Sequence, residues 1–245
     1  MKPRRIDSHV VGVCSGLLLA VTPVYAIAAQ WLSPVAVVEA SGPAFPQGRV
    51  AGNAPDPEYA AEKVIDGDPK TFCCLLDDTV DDPAGNKATI PAGGAEPVSG
   101  HVVFDLGRPL LVTGARVTAR DGGGSYVPRQ VDFLYFTDDH PENHPLKDDL
   151  EGDDGIEAML PGHTLPPLQN GAHEDVAWDG VVARYVALRV SSSYESGGMH
   201  YNFQIGEIQF CVLPRPEAMA TGQRLPPLYT RRATLAETLI ATRAQ

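Results

Sequence analysis

Basic residues are scarce: 19 Lys and Arg stand against 31 Asp and Glu in 245 residues, a formal net charge of −12. That balance excludes nucleic acid as a partner, because phosphate binding needs a concentrated positive surface. Past the N-terminal segment no apolar run is long enough to cross a bilayer, so no later membrane span is expected. Cysteine is rare, with 4 in the chain. The vicinal Cys73 and Cys74 lack a second close pair and the histidines are scattered, which argues against zinc. Catalytic signatures are missing too: no nucleophile elbow, helix-borne zinc motif, phosphate loop or dinucleotide fingerprint stands in its required context. His140 and His144 are four apart, yet Pro141 and Pro145 oppose the helix that would aim both at one metal. Gly122-Gly-Gly124 follows a strand with no helix start behind it. Internal repeats and a long helical period are also absent, and a non-enzyme is the expectation.

What is present begins with a leader. Lys2, Arg4 and Arg5 precede the apolar run Val10 to Ala20, and small residues end the segment at Val24-Tyr-Ala-Ile-Ala-Ala29. This is a secretory signal over residues 1–28, cut after Ala26 or Ala28, and it predicts a secreted or periplasmic protein. Cleavage after Ala28 leaves 16 basic against 30 acidic residues, about −14. Such acidity suits a soluble exported protein or a cation binder. Export also predicts a disulfide between Cys211 and either Cys73 or Cys74.

About 215 residues remain, enough for one sizeable core. β-branched or alternating runs recur at His101 to Leu106, Leu111 to Thr118, Gln130 to Phe136, Arg184 to Val190 and Gln204 to Phe210, and these read as strands. The 24 glycines and 22 prolines concentrate between the runs, which favours an all-β antiparallel sandwich with long loops. The longest predicted loops are Asp77 to Gly100 and Asp138 to Gly171. The second carries Asp149, Glu151, Asp153 and Asp154, read as a solvated acidic loop because Asp154 stands where an EF-hand needs glycine. Residues 214–245 form a Pro-rich linker and a short C-terminal helix, with Leu235, Leu239 and Ile240 on one face for docking on the sandwich or on a partner.

The stretch Ala61-Glu-Lys-Val-Ile-Asp-Gly-Asp-Pro-Lys-Thr71 gathers two carboxylates and a threonine around a glycine. By itself it reads as a surface turn, while its composition is also what a hard, oxygen-liganded cation such as calcium needs. Taken in order, Ile65 to Thr71, Val103-Phe-Asp-Leu-Gly107, Ala183 to Val190 and Ile205 to Phe210 resemble the discoidin family, the coagulation factor five/eight type C domains. Family 32 carbohydrate-binding modules share that galactose-binding-like fold. The resemblance covers residues 50 to 213 and implies a jelly-roll β-sandwich over residues 29–213. It also implies a structural calcium ion held by Asp66, Asp68, Thr71 and Glu207, tying the first loop to the last strand. The chain departs from the family where Phe72-Cys-Cys74 replaces the usual tryptophan. Phe72 would fill that apolar slot, and the cysteines would replace the disulfide tying the ends of many discoidin domains.

Recognition in the family sits on loops at one end of the sandwich, where an aromatic face and a few polar donors hold a sugar. Two segments here have that character: Gly122 to Arg129, with Tyr126 and Arg129, and Ser191 to Asn202, with Tyr194, His200, Tyr201 and Asn202. The resemblance implies a glycan or polysaccharide partner. The alternatives are a structural or adhesion protein binding another protein through the C-terminal helix, and an accessory domain of a secreted hydrolase.

Overall fold

The computed structural model describes residues 29–41, 56–68, 70–76, 96–121, 127–144, 146, 155–194, 202–213 and 222–224. The signal segment, the acidic residues Asp149 to Asp154 and the predicted C-terminal helix lie outside them. Nine strands are described: β1 (Gln30–Leu32), β2 (Ala36–Ala40), β3 (Cys73–Leu76), β4 (Glu96–Thr118), β5 (Pro128–Phe136), β6 (Ile156–Thr164), β7 (His173–Ser193), β8 (Asn202–Ile205) and β9 (Glu207–Leu213). Short 3-10 turns occur at Pro57–Tyr59, Ala61–Val64 and Pro141–Asn143. None of the described helices is long and apolar enough to cross a membrane.

Strands β4 and β7, of 23 and 21 residues, are several times the usual length and set the architecture. They pair antiparallel along most of their lengths, but the ladder breaks between Asp105 and Leu110. Before the break β4 pairs with β2, and after it with β9. The later part of β7 pairs with β5, which pairs in turn with β6. One layer is therefore β2, the first half of β4, the second half of β7, β5 and β6. The other is β1, β9, the second half of β4 and the first half of β7.

The layers face each other. Phe104 of the first meets Phe210 of the second with ring centroids 5.6 Å apart, and Phe133 meets Trp178 at 5.1 Å. Alternation aims Val102, Phe104 and Leu106 inward from β4, Val186, Leu188 and Val190 from β7, and Ile208, Phe210 and Val212 from β9, into one buried cluster. The expected antiparallel β-sandwich is thus the fold of this chain. A smaller pair, β3 with β8, adds Cys73, Leu75, Phe203 and Ile205 to the same core.

Two predicted loops contain strand. Residues Glu96 to Gly100 already belong to β4 and pair with β7 through Glu96–Ser193 and Gly100–Val190. Their Pro, Ser and Gly content hides the strand, whose alternation begins only at His101. Within Asp138 to Gly171, β6 pairs with β5 through Leu134–Ala158 and Phe136–Ile156. Its Pro161-Gly162 reads as a turn, but β6 is an edge strand, where a missing N–H is tolerated and the register can bulge.

The expected disulfide is also corrected: Cys73, Cys74 and Cys211 are not disulfide-bonded. Cys73 points into the central core, whereas Cys211 lies between the inward-facing Phe210 and Val212 and so projects from the opposite face of β9. There it stands opposite Trp31 of β1 and Gly114 of β4, with a sheet between it and Cys73. No side-chain rotation brings those two sulfurs within bonding distance. Cys74 faces Gln204 instead, whose Nε2 lies 3.8 Å from its Sγ.

Candidate functional site

The chain returns repeatedly to one end of the sandwich. The end of β4, the start of β5, both ends of β7 and the start of β9 converge there, because Thr118 pairs with both His173 and Glu207 while Pro128 pairs with Ser193. Ala119, Val127 and Leu168 make a small buried cluster under this rim. The break in β4 and β7 lies at the opposite end.

The Asp66 loop is seated by the turn Ala61–Val64, which buries Ala61 and Val64 completely. Gly67 adopts φ +76°, a left-handed value that L side chains resist, and aims its N–H at Glu207 Oε2, 3.1 Å away. The Thr71 hydroxyl lies 2.9 Å from both oxygens of Asp66, and Asp66 Oδ1 also accepts from Asp68 N–H at 3.0 Å. Lys63 Nζ stands 3.4 Å from Asp66 Oδ2. Burial raises the Asp66 carboxyl, but the Asp68 N–H, the Thr71 hydroxyl and Lys63 outweigh it and hold the group below its ordinary value. Glu207 behaves in the opposite way. Burial pushes its carboxyl up to about 7, with Gly67 N–H drawing it down and Asp66 pushing it further up. Its Oε1 is buried with no hydrogen-bond partner.

Asp66, Thr71 and Glu207 are therefore brought to one spot. The carboxylate of Asp68 is turned back to its own turn, where it accepts from Lys70 N–H at 3.0 Å, and its carbonyl faces the Thr71 hydroxyl at 3.0 Å. Among the described residues no group of three or more His, Cys, Asp or Glu side chains forms a metal cluster. The donor set is instead two carboxylates, a hydroxyl and loop carbonyls. This all-oxygen set fits calcium, and the unpartnered Glu207 Oε1 is the atom such an ion would satisfy.

Arg129 and Tyr194 meet, with the guanidinium 5.7 Å from the ring centroid. Tyr194 is a loop anchor as well as a ring: its hydroxyl donates to Leu165 carbonyl at 2.8 Å and its N–H to Val127 carbonyl at 2.8 Å. Tyr126, His200 and Tyr201 lie outside the described residues, and Asn202 is described only through its backbone, paired with Leu76.

Arg120 joins this end without having been expected there. It follows β4, its carbonyl accepts from Gly171 N–H at 3.2 Å, and its guanidinium lies 4.7 Å from the centroid of Phe72. Phe72 is half-buried and packs on Tyr59 with ring centroids 5.0 Å apart. Arg120 Nε is buried with no hydrogen-bond partner, and so is Oε1 of the buried Gln204. Both side chains approach Cys74, whose thiol burial raises to about 11 while Gln204 and Arg120 lower it. The signal for Arg120 was its place between a strand and a glycine run; for Gln204 there was none, since it sits within an ordinary strand alternation.

No family model and no curated protein matches the sequence. Among solved structures, a fragment of a putative chitobiase from Bacteroides thetaiotaomicron matches with TM-score 0.52 and 15% identity, over 77% of this chain and 95% of that one. The C-terminal domain of a chitobiase from Bacteroides fragilis matches with TM-score 0.48 and 15% identity, over 76% of this chain and 100% of that one. A family 32 carbohydrate-binding module from Clostridium perfringens, solved with GalNAc-β-1,3-galactose, matches with TM-score 0.47 and 13% identity, over 74% and 99%. The first of these shows a likeness of fold, in agreement with the β-sandwich described above.

Proposed function

We propose that this chain is an exported, non-catalytic carbohydrate-binding module that takes a sugar at the loop end of the sandwich and is stabilised there by a structural calcium ion. The observation that carries the reading is the pair of buried, unpartnered groups at Arg120 and Gln204. One is a donor and the other an acceptor, and both stand near Cys74, with Phe72 under the guanidinium. Leaving such groups unmade is costly, and a sugar hydroxyl is a group that both donates and accepts. Aromatic and arginine side chains at one rim supply the remaining ingredients of a saccharide site, an apolar face with a few directed polar groups.

Calcium would be held by Asp66, Thr71, Glu207 and the carbonyls of the Asp66–Asp68 turn. Bound there it would neutralise the two facing carboxylates and lock the first loop to β9, beside the rim that carries Arg120. Its role is structural and touches no reaction.

The test is retention on immobilised glycans in calcium buffer. Wild type is expected to bind, and Arg120→Ala and Gln204→Leu each to weaken binding by about tenfold, the equivalent of one lost hydrogen bond of roughly 1.4 kcal/mol. Absence of retention on every glycan, with the protein folded and calcium present, overturns the reading.

A further inference from the structure

Seven arginines are described, and in a chain with 31 acids against 19 bases most are neutralised. Arg116 forms a fork on Asp175 at 2.6 and 2.7 Å, and Arg184 one on Asp105 at 3.0 and 2.9 Å. Arg189 pairs with Asp132 at 2.8 Å and Arg224 with Glu157 at 3.4 Å. Arg108, exposed at the opposite end, and Arg120 and Arg129 at the loop end have no carboxylate partner among the described residues. The guanidiniums of Arg120 and Arg129 stand over Phe72 and Tyr194, as those of Arg116, Arg184 and Arg224 also stand over rings. Arg120 and Arg129 belong to one rim. The segment 165–171 bonds to both, through Leu165 N–H on the Arg129 carbonyl at 2.8 Å and Gly171 N–H on the Arg120 carbonyl at 3.2 Å.

We infer that the glycan is acidic: the arginine pair Arg120–Arg129 binds a carboxylate or sulfate carried by the polysaccharide. The inference rests on the carbohydrate reading above and adds the charge of the ligand. A neutral hydroxyl would satisfy the hydrogen-bond deficit at Arg120 Nε but would leave two cationic forks uncompensated, one of them partly desolvated. An anionic group that offers two acceptor oxygens matches the fork geometry and cancels the charge. The guanidiniums stand 4.7 and 5.7 Å from the ring centroids, and such cation–π contacts reduce the side-chain freedom lost on binding. Among the described residues the nearby acids do not serve as internal counter-ions. Asp66 and Glu207 face each other in the cation loop, and Asp121, next to Arg120, is exposed with no bond to it.

The experiment compares oligogalacturonate with its fully methyl-esterified form, and dextran sulfate oligomers with dextran, by calorimetry in calcium buffer at low and high salt. The expected result is that at least one charged oligomer binds tenfold or more tighter than its neutral counterpart, and that salt narrows the gap. Preference for the carboxylate pair identifies a uronate, and for the sulfate pair a sulfate ester. In the Arg120→Gln/Arg129→Gln double variant the gap is expected to fall below twofold, while Arg108→Gln, an exposed cation at the opposite end, leaves it intact. Arg129→Gln alone covers the case in which the double variant does not fold, and should narrow the gap at least threefold. Equal binding of charged and neutral oligomers overturns the inference but leaves the carbohydrate reading standing. So does a gap that persists in either arginine variant. Binding of no oligomer overturns the inference, and the carbohydrate reading is then decided by retention on the immobilised glycans.

Discussion

At the scale of single residues, Glu207 is the most informative. Its carboxyl is raised to about 7 chiefly by burial, so between the unfolded value of 4.5 and about 7 the folded state holds a proton that the unfolded state has released. Stability of the cation-free protein therefore falls as pH rises through this window and levels off above it. In chelator, the melting temperature is expected to be higher at pH 5 than at pH 8. Saturating calcium should remove that difference by stabilising the ionised form, adding roughly 2.7 kcal/mol at a hundredfold excess over Kd. Glu207→Gln should abolish both the calcium shift and this pH dependence, and thermal scans in calcium and in chelator check both. A calcium-insensitive wild type would remove the ion from the account. The neighbouring Gly206 answers to a different constraint. A Cβ there would lie 2.8 Å from Ala119 carbonyl oxygen and 3.0 Å from Arg120 Cα, both backbone atoms. Gly206→Ala should thus destabilise by about 1–3 kcal/mol in urea unfolding and weaken glycan binding, since the displaced backbone carries Arg120.

At the scale of elements, the sandwich depends on how two long strands change layer. Asp105, nearly buried at the break in β4, accepts the fork from Arg184 of β7 and the N–H of Gly107 at 2.7 Å. Burial raises its carboxyl, but these bonds outweigh it and hold the group below 3.8. Its contribution is present above that value and lost as acid protonates the folded form. Asp105→Asn keeps the shape and removes the charge, and it should cost about 1.5–3 kcal/mol in urea unfolding at pH 7. At pH 3 the cost should be smaller, because the wild type is then losing the same charge; an equal cost at both pH values would remove the ion pair from the account of the bend.

At the scale of the molecule, the two faces of the bent sheet decide the chemistry of the cysteines. Burial pushes Cys73 up to about 12, with the Ile205 backbone lowering it and Cys74 raising it, and Cys74 reaches about 11. Thiolates are the reactive form, so both should resist a thiol reagent at pH 8 in the native state and react only on unfolding. Native labelling at either site, or electrophoretic mobility that shifts with reductant, would show that the sheet does not separate the sulfurs as described. The same bend gathers the ends of β4, β5, β7 and β9 at one rim, so residues from distant parts of the sequence share a site.

Local pattern was enough for the strands whose alternation is long and regular, such as His101 to Leu106 and Gln130 to Phe136, because a period of two is a property of neighbours along the chain. It was also enough for the Asp66–Thr71 loop, whose glycine and oxygen donors lie within six residues, and the resemblance in motif order carried Glu207 to it. β6 was not legible, because its Pro161-Gly162 makes sense only beside β5 at a sheet edge. Arg120 and Gln204 were not legible as a pair, because what marks them is a missing hydrogen bond, a property of burial among residues remote in sequence. Nor was the separation of Cys73 from Cys211, which follows from which face each strand turns to the core. The amino-acid order by itself determined a β protein with an oxygen-rich loop, because both follow from neighbours along the chain; packing of the two layers alone decided which buried groups were left without partners, because burial depends on residues remote in sequence.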